Sequence, residues 1–85
     1  MPYEVQVLPS AERELERLPA RQLSRVLFRI GSLATQPRPM GVQKLRGAED
    51  RYRIRQGRFR ILYRVDDATR CVFVYAVGDR KEVYR

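Results

Sequence analysis

The side chains able to do chemistry in this sequence are its arginines. Residues 38–85 hold thirteen basic and six acidic side chains, net +7, whereas residues 1–37 hold five basic and four acidic, net +1. Sixteen of the eighteen cations are arginine, with lysine only at Lys44 and Lys81. Guanidinium gives planar, bidentate contacts to phosphate and stacks on bases, so its choice over lysine favours a phosphate-bearing partner. Histidine is absent and Cys71 is alone, which removes imidazole acid–base chemistry, thiolate metal clusters and intrachain disulfides. The expected site therefore has no metal and no cofactor.

The densest cationic stretch alternates. If Gly57-Arg58 is a two-residue turn of type II′, Arg55 stands opposite Arg60, Arg53 opposite Leu62 and Arg51 opposite Arg64. Period-two alternation puts Arg51, Arg53, Arg55, Arg60, Leu62 and Arg64 on one face, nearly all guanidinium. Tyr52, Ile54, Gln56, Phe59, Ile61, Tyr63 and Val65 take the other. Like charges directly opposed destabilise an antiparallel pair, so folding alone gives no reason to set Arg55 against Arg60. An anionic ligand supplies one. Protection of an exposed edge is the competing account, but that role is usually filled by lysine or by mixed charges. Beyond Gly78, Arg80, Lys81 and Tyr84 can turn towards the hairpin; a tyrosine beside clustered arginines suits stacking on an unstacked base, and packing against a helix is the equal alternative for that ring. The expected ligand is RNA.

The elements that must position these residues follow from periodicity. Tyr3–Leu8 alternates and reads as a strand. Ser10 is the expected N-cap of a helix that buries Ala11, Leu15 and Leu18, and Pro19 breaks it. A second helix from about Arg21 carries the stripe Leu23, Val26, Leu27, Ile30, Leu33 and Ala34. Arg21, Arg25 and Arg29 fall opposite and read first as a solvated face, with contact to a phosphate backbone as the lesser alternative. Gln36-Pro37-Arg38-Pro39 ends that helix. Strands follow at Tyr52–Gln56, Phe59–Val65 and Cys71–Val77, the last apolar on both faces and so expected at the centre of the sheet. The prediction is one α+β domain spanning residues 1–85, with an N-terminal strand and a two-helix hairpin packed on a mainly antiparallel four-stranded sheet. No apolar run is long enough to span a membrane and no signal-peptide core is present, so a soluble, cytoplasmic protein is expected.

The ordered set Lys44-Leu45-Arg46-Gly47, Tyr52-Arg53-Ile54-Arg55, Phe59-Arg60-Ile61-Leu62-Tyr63, Val77-Gly78-Asp79-Arg80 and Glu82-Val83-Tyr84 resembles the RelE/ParE superfamily of bacterial and archaeal toxins, in its RelE-like subgroup. The resemblance runs over nearly the whole chain and implies a RelE-like, microbial RNase-like fold. It implies a toxin of a type II toxin–antitoxin system that enters the ribosomal A site and cuts the bound mRNA. In that reaction the ribose 2′-OH attacks the adjacent phosphodiester without a metal, leaving a 2′,3′-cyclic phosphate and a 5′-OH. The implied partners are the ribosome, mRNA and an acidic, RelB-like antitoxin.

Carried over position by position, the resemblance implies catalytic roles for Arg53, Arg55, Arg60, Arg80 and Tyr84. Arg55 and Arg60 would hold the scissile phosphate, Arg80 would stabilise the leaving oxygen, and Tyr84 would stack on a base. Lys44, Arg46, Arg51, Arg58, Arg64 and Lys81 are the further RNA-binding candidates. Well-known RelE-type members carry lysine where this chain has Arg53 and Arg55. Guanidinium stays protonated far above neutral pH, so neither arginine serves as a general base. That role stays open among Tyr84, a ribosomal group and a substrate phosphate. The alternative reading is a ParE-like toxin that poisons DNA gyrase without cleaving RNA, and a third is a basic module that only binds nucleic acid.

Overall fold

Two periodicities, one helical and one of strands, become two layers in a computed structural model that describes residues 2–47 and 49–79. The elements are β1 (Glu4–Val7), α1 (Pro9–Leu15), α2 (Ala20–Ser32), β2 (Gln43–Lys44), β3 (Arg51–Gln56), β4 (Phe59–Asp66) and β5 (Cys71–Asp79). They build one sheet in the order β1-β5-β4-β3-β2. Only β1 runs parallel to its neighbour, β5; the other pairs are antiparallel. The α+β class stands as expected, with five strands in place of four. The added strand, β2, pairs Gln43 with Arg53 and Lys44 with Tyr52, and two residues are too few to show an alternation in sequence. No helix among the described residues is long and apolar enough to cross a membrane.

Both helices lie on one face of the sheet. Ala11 and Leu15 of α1, with Val26, Ile30 and Leu33 on α2 and at its end, join Ile54, Ile61, Tyr63, Val65, Val72, Val74 and Val77 in the main core. Each such large side chain contributes about 1.5–3 kcal/mol on burial. The apolar stripe of α2 is narrower than its sequence suggests, because Leu27 is 46% exposed and Phe28 82% exposed. The middle of the sheet is β4, buried from Phe59 through Tyr63, rather than the more uniformly apolar β5. β5 is interior but keeps Phe73 and Tyr75 only half-buried.

A different job falls to Ser10 than the one expected. Leu8 is the N-cap of α1 and Pro9 opens the helix, with no side-chain cap. The Ser10 hydroxyl instead donates to the Tyr75 carbonyl at 2.7 Å, and the Glu14 carboxylate accepts the Val77 N–H at 2.9 Å. The reason lies in strand lengths. The register of β1 stops at Val7 opposite Val74, while β5 continues to Asp79. Backbone groups on the uncovered stretch still need partners, and α1 supplies them.

The loop after α2 is fixed by a tyrosine cluster. The Tyr52 and Tyr63 rings stack with centroids 5.8 Å apart, and the Tyr63 hydroxyl donates to the Pro37 carbonyl at 2.7 Å. Burial, then the neighbouring Tyr52, pushes the Tyr63 phenol well above its ordinary pKa, so it stays a donor. Arg38 covers the Tyr52 ring, donates to its hydroxyl at 2.9 Å, and reaches Asp67 at 2.7 Å. Tyr3 donates to the same carboxylate at 2.5 Å.

Two outcomes are expected. Tyr63→Phe leaves the Pro37 carbonyl short of a donor and should lower stability by about 1–3 kcal/mol in urea titration. Hydrogen bonds from Arg38 and Tyr3 hold the Asp67 carboxyl below its usual range. A depressed folded-state pKa adds stability above the unfolded value of about 3.9, lost as pH falls through the folded value. Asp67→Asn should therefore be less stable than the parent at neutral pH, the gap closing in denaturant titrations run below about pH 4.

Candidate functional site

The sheet face turned away from the helices holds the arginines, and the turn between β3 and β4 sets their positions. Gly57 adopts φ +61°, and Arg58 stays outside the positive-φ region, as a type II′ turn requires. The resulting register opposes Arg55 to Arg60, Arg53 to Leu62 and Arg51 to Arg64, as the alternation predicts.

This face is less uniformly charged than the alternation implies. Arg60 is only 3% exposed, set between Arg55 on β3 and Gly78 on β5, whose lack of a side chain leaves it room. Leu62 and Ala76 form a second small apolar cluster with Leu45 and Tyr75. A bulge adds to it. Tyr63 pairs with Val74 but Leu62 with Ala76, leaving Tyr75 as an extra residue in β5. The extra residue resets the alternation, so Phe73, Tyr75 and Ala76 share the arginine face. Arg64 then lies over the Phe73 ring at 4.5 Å and Arg51 over the Tyr75 ring at 5.3 Å.

Around the turn, a cavity of about 200 Å³ is lined by Arg55, Gly57, Arg58, Phe59, Arg60 and Asp79. Arg58 donates from Nε and Nη2 to Asp79 Oδ2 at 2.9 and 2.5 Å, so its charge is met within the chain. Arg64 makes a longer ion pair with Asp50 at 3.7 Å. Arg55 and Arg60 thus supply a cavity wall of two guanidiniums, one exposed and one fixed by burial. Such a pair can hold an anionic phosphate and stabilise charge that gathers on it.

The remaining sequence candidates divide. Arg53 accompanies Arg55 on β3, where its Nη2 donates to the Gln43 side-chain carbonyl. Lys44 pairs with Tyr52 and so projects towards the helical side rather than the arginine face. Arg46 is exposed in the turn after β2, near Lys44. Arg80, Lys81 and Tyr84 lie outside the described residues. Sequence reasoning passed over Asp79, Phe73 and Tyr75, because the bulge that orients the two aromatics leaves no composition signal. It ranked Arg29 with Arg21 and Arg25 as solvated before phosphate-binding. Arg29 sits beside Ile30 and three positions after Val26, at the flank of the buried stripe, where packing decides what it meets. Among the described residues no group of three or more His, Cys, Asp or Glu is placed to hold a metal ion.

Comparison with known proteins bears on what this face serves. Residues 5–84 match the family described as the ParE toxin of type II toxin–antitoxin system, parDE. The chain is 36% identical over 86 residues to toxin RelG of Mycobacterium tuberculosis, covering 100% of this chain and 99% of that protein. It is 31% identical over 85 residues to toxin RelE of the same organism, covering 99% and 88% respectively. Among solved structures, the M. tuberculosis toxin–antitoxin complex RelBE2 aligns with TM-score 0.82 and 34% identity, over 94% of this chain and 100% of that one. The archaeal RelE–RelB complex from Pyrococcus horikoshii aligns with TM-score 0.84 and 27% identity, over 98% and 100%.

The opposed pair Arg55–Arg60 gives a direct test of whether the face is shaped by folding or by a ligand. Arg55→Gln should raise stability by about 0.2–1 kcal/mol through relief of like-charge repulsion. The same substitution should weaken binding of a single-stranded oligoribonucleotide. Calorimetry and a binding titration on one preparation check both signs.

Proposed function

Because the chain belongs to the RelE/ParE family of type II toxin–antitoxin toxins, we propose that it is a ribosome-dependent endoribonuclease that cuts mRNA in the A site. The observation that carries this reading is the opposed pair Arg55–Arg60 lining one cavity beside the hairpin turn. Two cations placed where folding alone resists them answer the needs of a phosphoryl reaction whose transition state gathers negative charge.

The reaction forms a bond from the ribose O2′ to phosphorus and breaks the bond from phosphorus to O5′. The 2′-OH proton leaves to a base, and O5′ gains a proton. The products are a 2′,3′-cyclic phosphate and a 5′-OH. In this scheme Arg55 and Arg60 hold the non-bridging oxygens of the scissile phosphate. Arg53 adds positive charge beside them, and family resemblance assigns Arg80 to the leaving oxygen and Tyr84 to stacking on the base. Catalysis then rests on electrostatic stabilisation and on the ribosome's orientation of the RNA, since guanidinium does not accept the proton. Arg46, Arg51, Arg58, Arg64 and Lys81 contribute to RNA binding around this centre, and Lys44 adds its charge from the helical side. The chain's net charge of +8 calls for an acidic partner in the resting state, and a RelB-like antitoxin fits that need. The cytoplasm, where ribosomes and mRNA meet, is the proposed compartment.

One observation favours a second reading. The family description that matches the chain carries the name ParE, although the two curated relatives are named RelG and RelE. A ParE-like toxin would poison DNA gyrase and leave RNA intact.

Mapping of mRNA 5′ ends in a purified translation reaction separates the two. The wild-type protein should produce cuts at codon positions. Arg60→Ala should lower the cleavage rate about 10²–10³-fold, and Tyr84→Ala should lower it as well. Retained antitoxin binding and an unchanged circular dichroism spectrum would show that each variant is folded. Intact mRNA together with accumulated gyrase–DNA cleavage complexes would overturn the nuclease reading in favour of the second.

A further inference from the structure

Arg55 lines two cavities. One is the hairpin cavity it shares with Arg60. The other, of about 380 Å³, is lined by Arg29, Gly41, Gln43, Arg53 and Arg55. This second notch lies along β3 where the two-residue β2 strand ends. Arg29 reaches it from α2 on the helical side, while Arg53 and Arg55 reach it from the opposite face. Three guanidiniums thus converge from two layers of the fold on one opening, with no carboxylate among the residues that line it.

Arg38, Arg58 and Arg64 are each ion-paired, with Asp67, Asp79 and Asp50. Within the notch the neutral Gln43 amide accepts from Arg53 through its carbonyl oxygen and fixes its direction. Arg29 Nε is buried with no hydrogen-bond partner. A buried donor left this way is costly to the fold, so packing alone does not account for a guanidinium here. The same guanidinium lines the notch, where the non-bridging oxygens of a phosphodiester can accept its contacts.

We infer that Arg29, together with Arg53 and Arg55, binds the RNA phosphate next to the scissile one, so that two consecutive phosphates straddle Arg55. This inference rests on the RNA-cleaving reading above and deepens it. It assigns a ligand-binding role to a helical arginine and extends the RNA track from the hairpin over the edge of β3 to α2. Arg29 is a binding and positioning residue here. Its contact is to backbone phosphate and therefore independent of base sequence.

The test is the salt dependence of binding to a six-nucleotide RNA carrying 2′-O-methyl groups, which block cleavage. Each phosphate contact to a single strand contributes about 0.7 to the slope of log K against log salt. Arg29→Gln should reduce the slope by about that amount and weaken binding equally for different base sequences. Arg21→Gln and Arg25→Gln remove the same charge from exposed positions of α2 and should leave the slope unchanged. Arg29→Lys should recover much of it. An unchanged slope for Arg29→Gln, while Arg53→Gln and Arg55→Gln lower theirs, would overturn this inference and leave the nuclease reading standing. An equal loss in all three helical variants would also overturn it, since net charge alone would then explain the effect. Absence of RNA binding by the wild-type protein, free and on ribosomes, would instead overturn the reading on which it rests.

Discussion

The pairing register between β3 and β4 is the constraint on which the rest of the molecule depends. Side chains alternate with a period of two, so a slip of one residue would carry every arginine of the hairpin into the core and every core residue into solvent. Two independent features hold the register. Gly57 takes the positive φ that the turn needs, and Tyr52, Ile54, Ile61 and Tyr63 must face the helices. The magnitudes settle the conflict with charge. Opposing arginines cost about 0.2–1 kcal/mol per pair, while each large core side chain gains about 1.5–3 kcal/mol on burial. The core therefore dictates where the arginines stand, and their repulsion is tolerated.

Within that frame the arginines serve two purposes. Arg38 and Arg58 are held by short ion pairs to Asp67 and Asp79, and Arg38 also ties the loop after α2 to the Tyr52 ring. Arg29, Arg53, Arg55 and Arg60 gather around two adjoining cavities. Burial of Arg60 is central to this arrangement. A guanidinium held between β3 and β5 moves little, so it can meet developing charge without reorganising. The bulge at Tyr75 adds an aromatic region on the same face, where Arg51 and Arg64 lie over the rings of Tyr75 and Phe73. On the proposed reading the face runs from an aromatic–arginine surface at one end to a phosphate-binding centre at the other.

That reading is also consistent with a sequence that holds no histidine. The site is rich in groups that stabilise negative charge and poor in groups that remove a proton. Among the described residues, Asp79 is the carboxylate lining the hairpin cavity, and Arg58 engages it. A toxin that works on RNA already oriented by another machine needs less intrinsic proton-transfer chemistry, because orientation supplies much of the rate. An acidic antitoxin would at the same time relieve the self-repulsion of a domain carrying a charge of +8.

The sequence by itself determined the α+β class, the two helices, the arginine-bearing hairpin and the opposition of Arg55 to Arg60. All of these depend on short-range rules: helical spacing, strand alternation and the demand of one turn for glycine. Whatever required two distant segments to meet was decided by the tertiary structure. Ser10 left its expected cap because β5 outruns β1 and exposes backbone groups that α1 must satisfy. Leu27 left the core because a single sheet face covers only part of the helix circumference. β2 was too short to announce itself, and the bulge at Tyr75 shifted the alternation of β5 without a compositional mark. Arg29 looked like a solvated helix residue until packing brought α2 to the edge of β3. Alternation says which way a side chain points, but what it meets there depends on neighbours far away in sequence. The opposed arginines were legible for the first reason, and the notch they share with Arg29 only for the second.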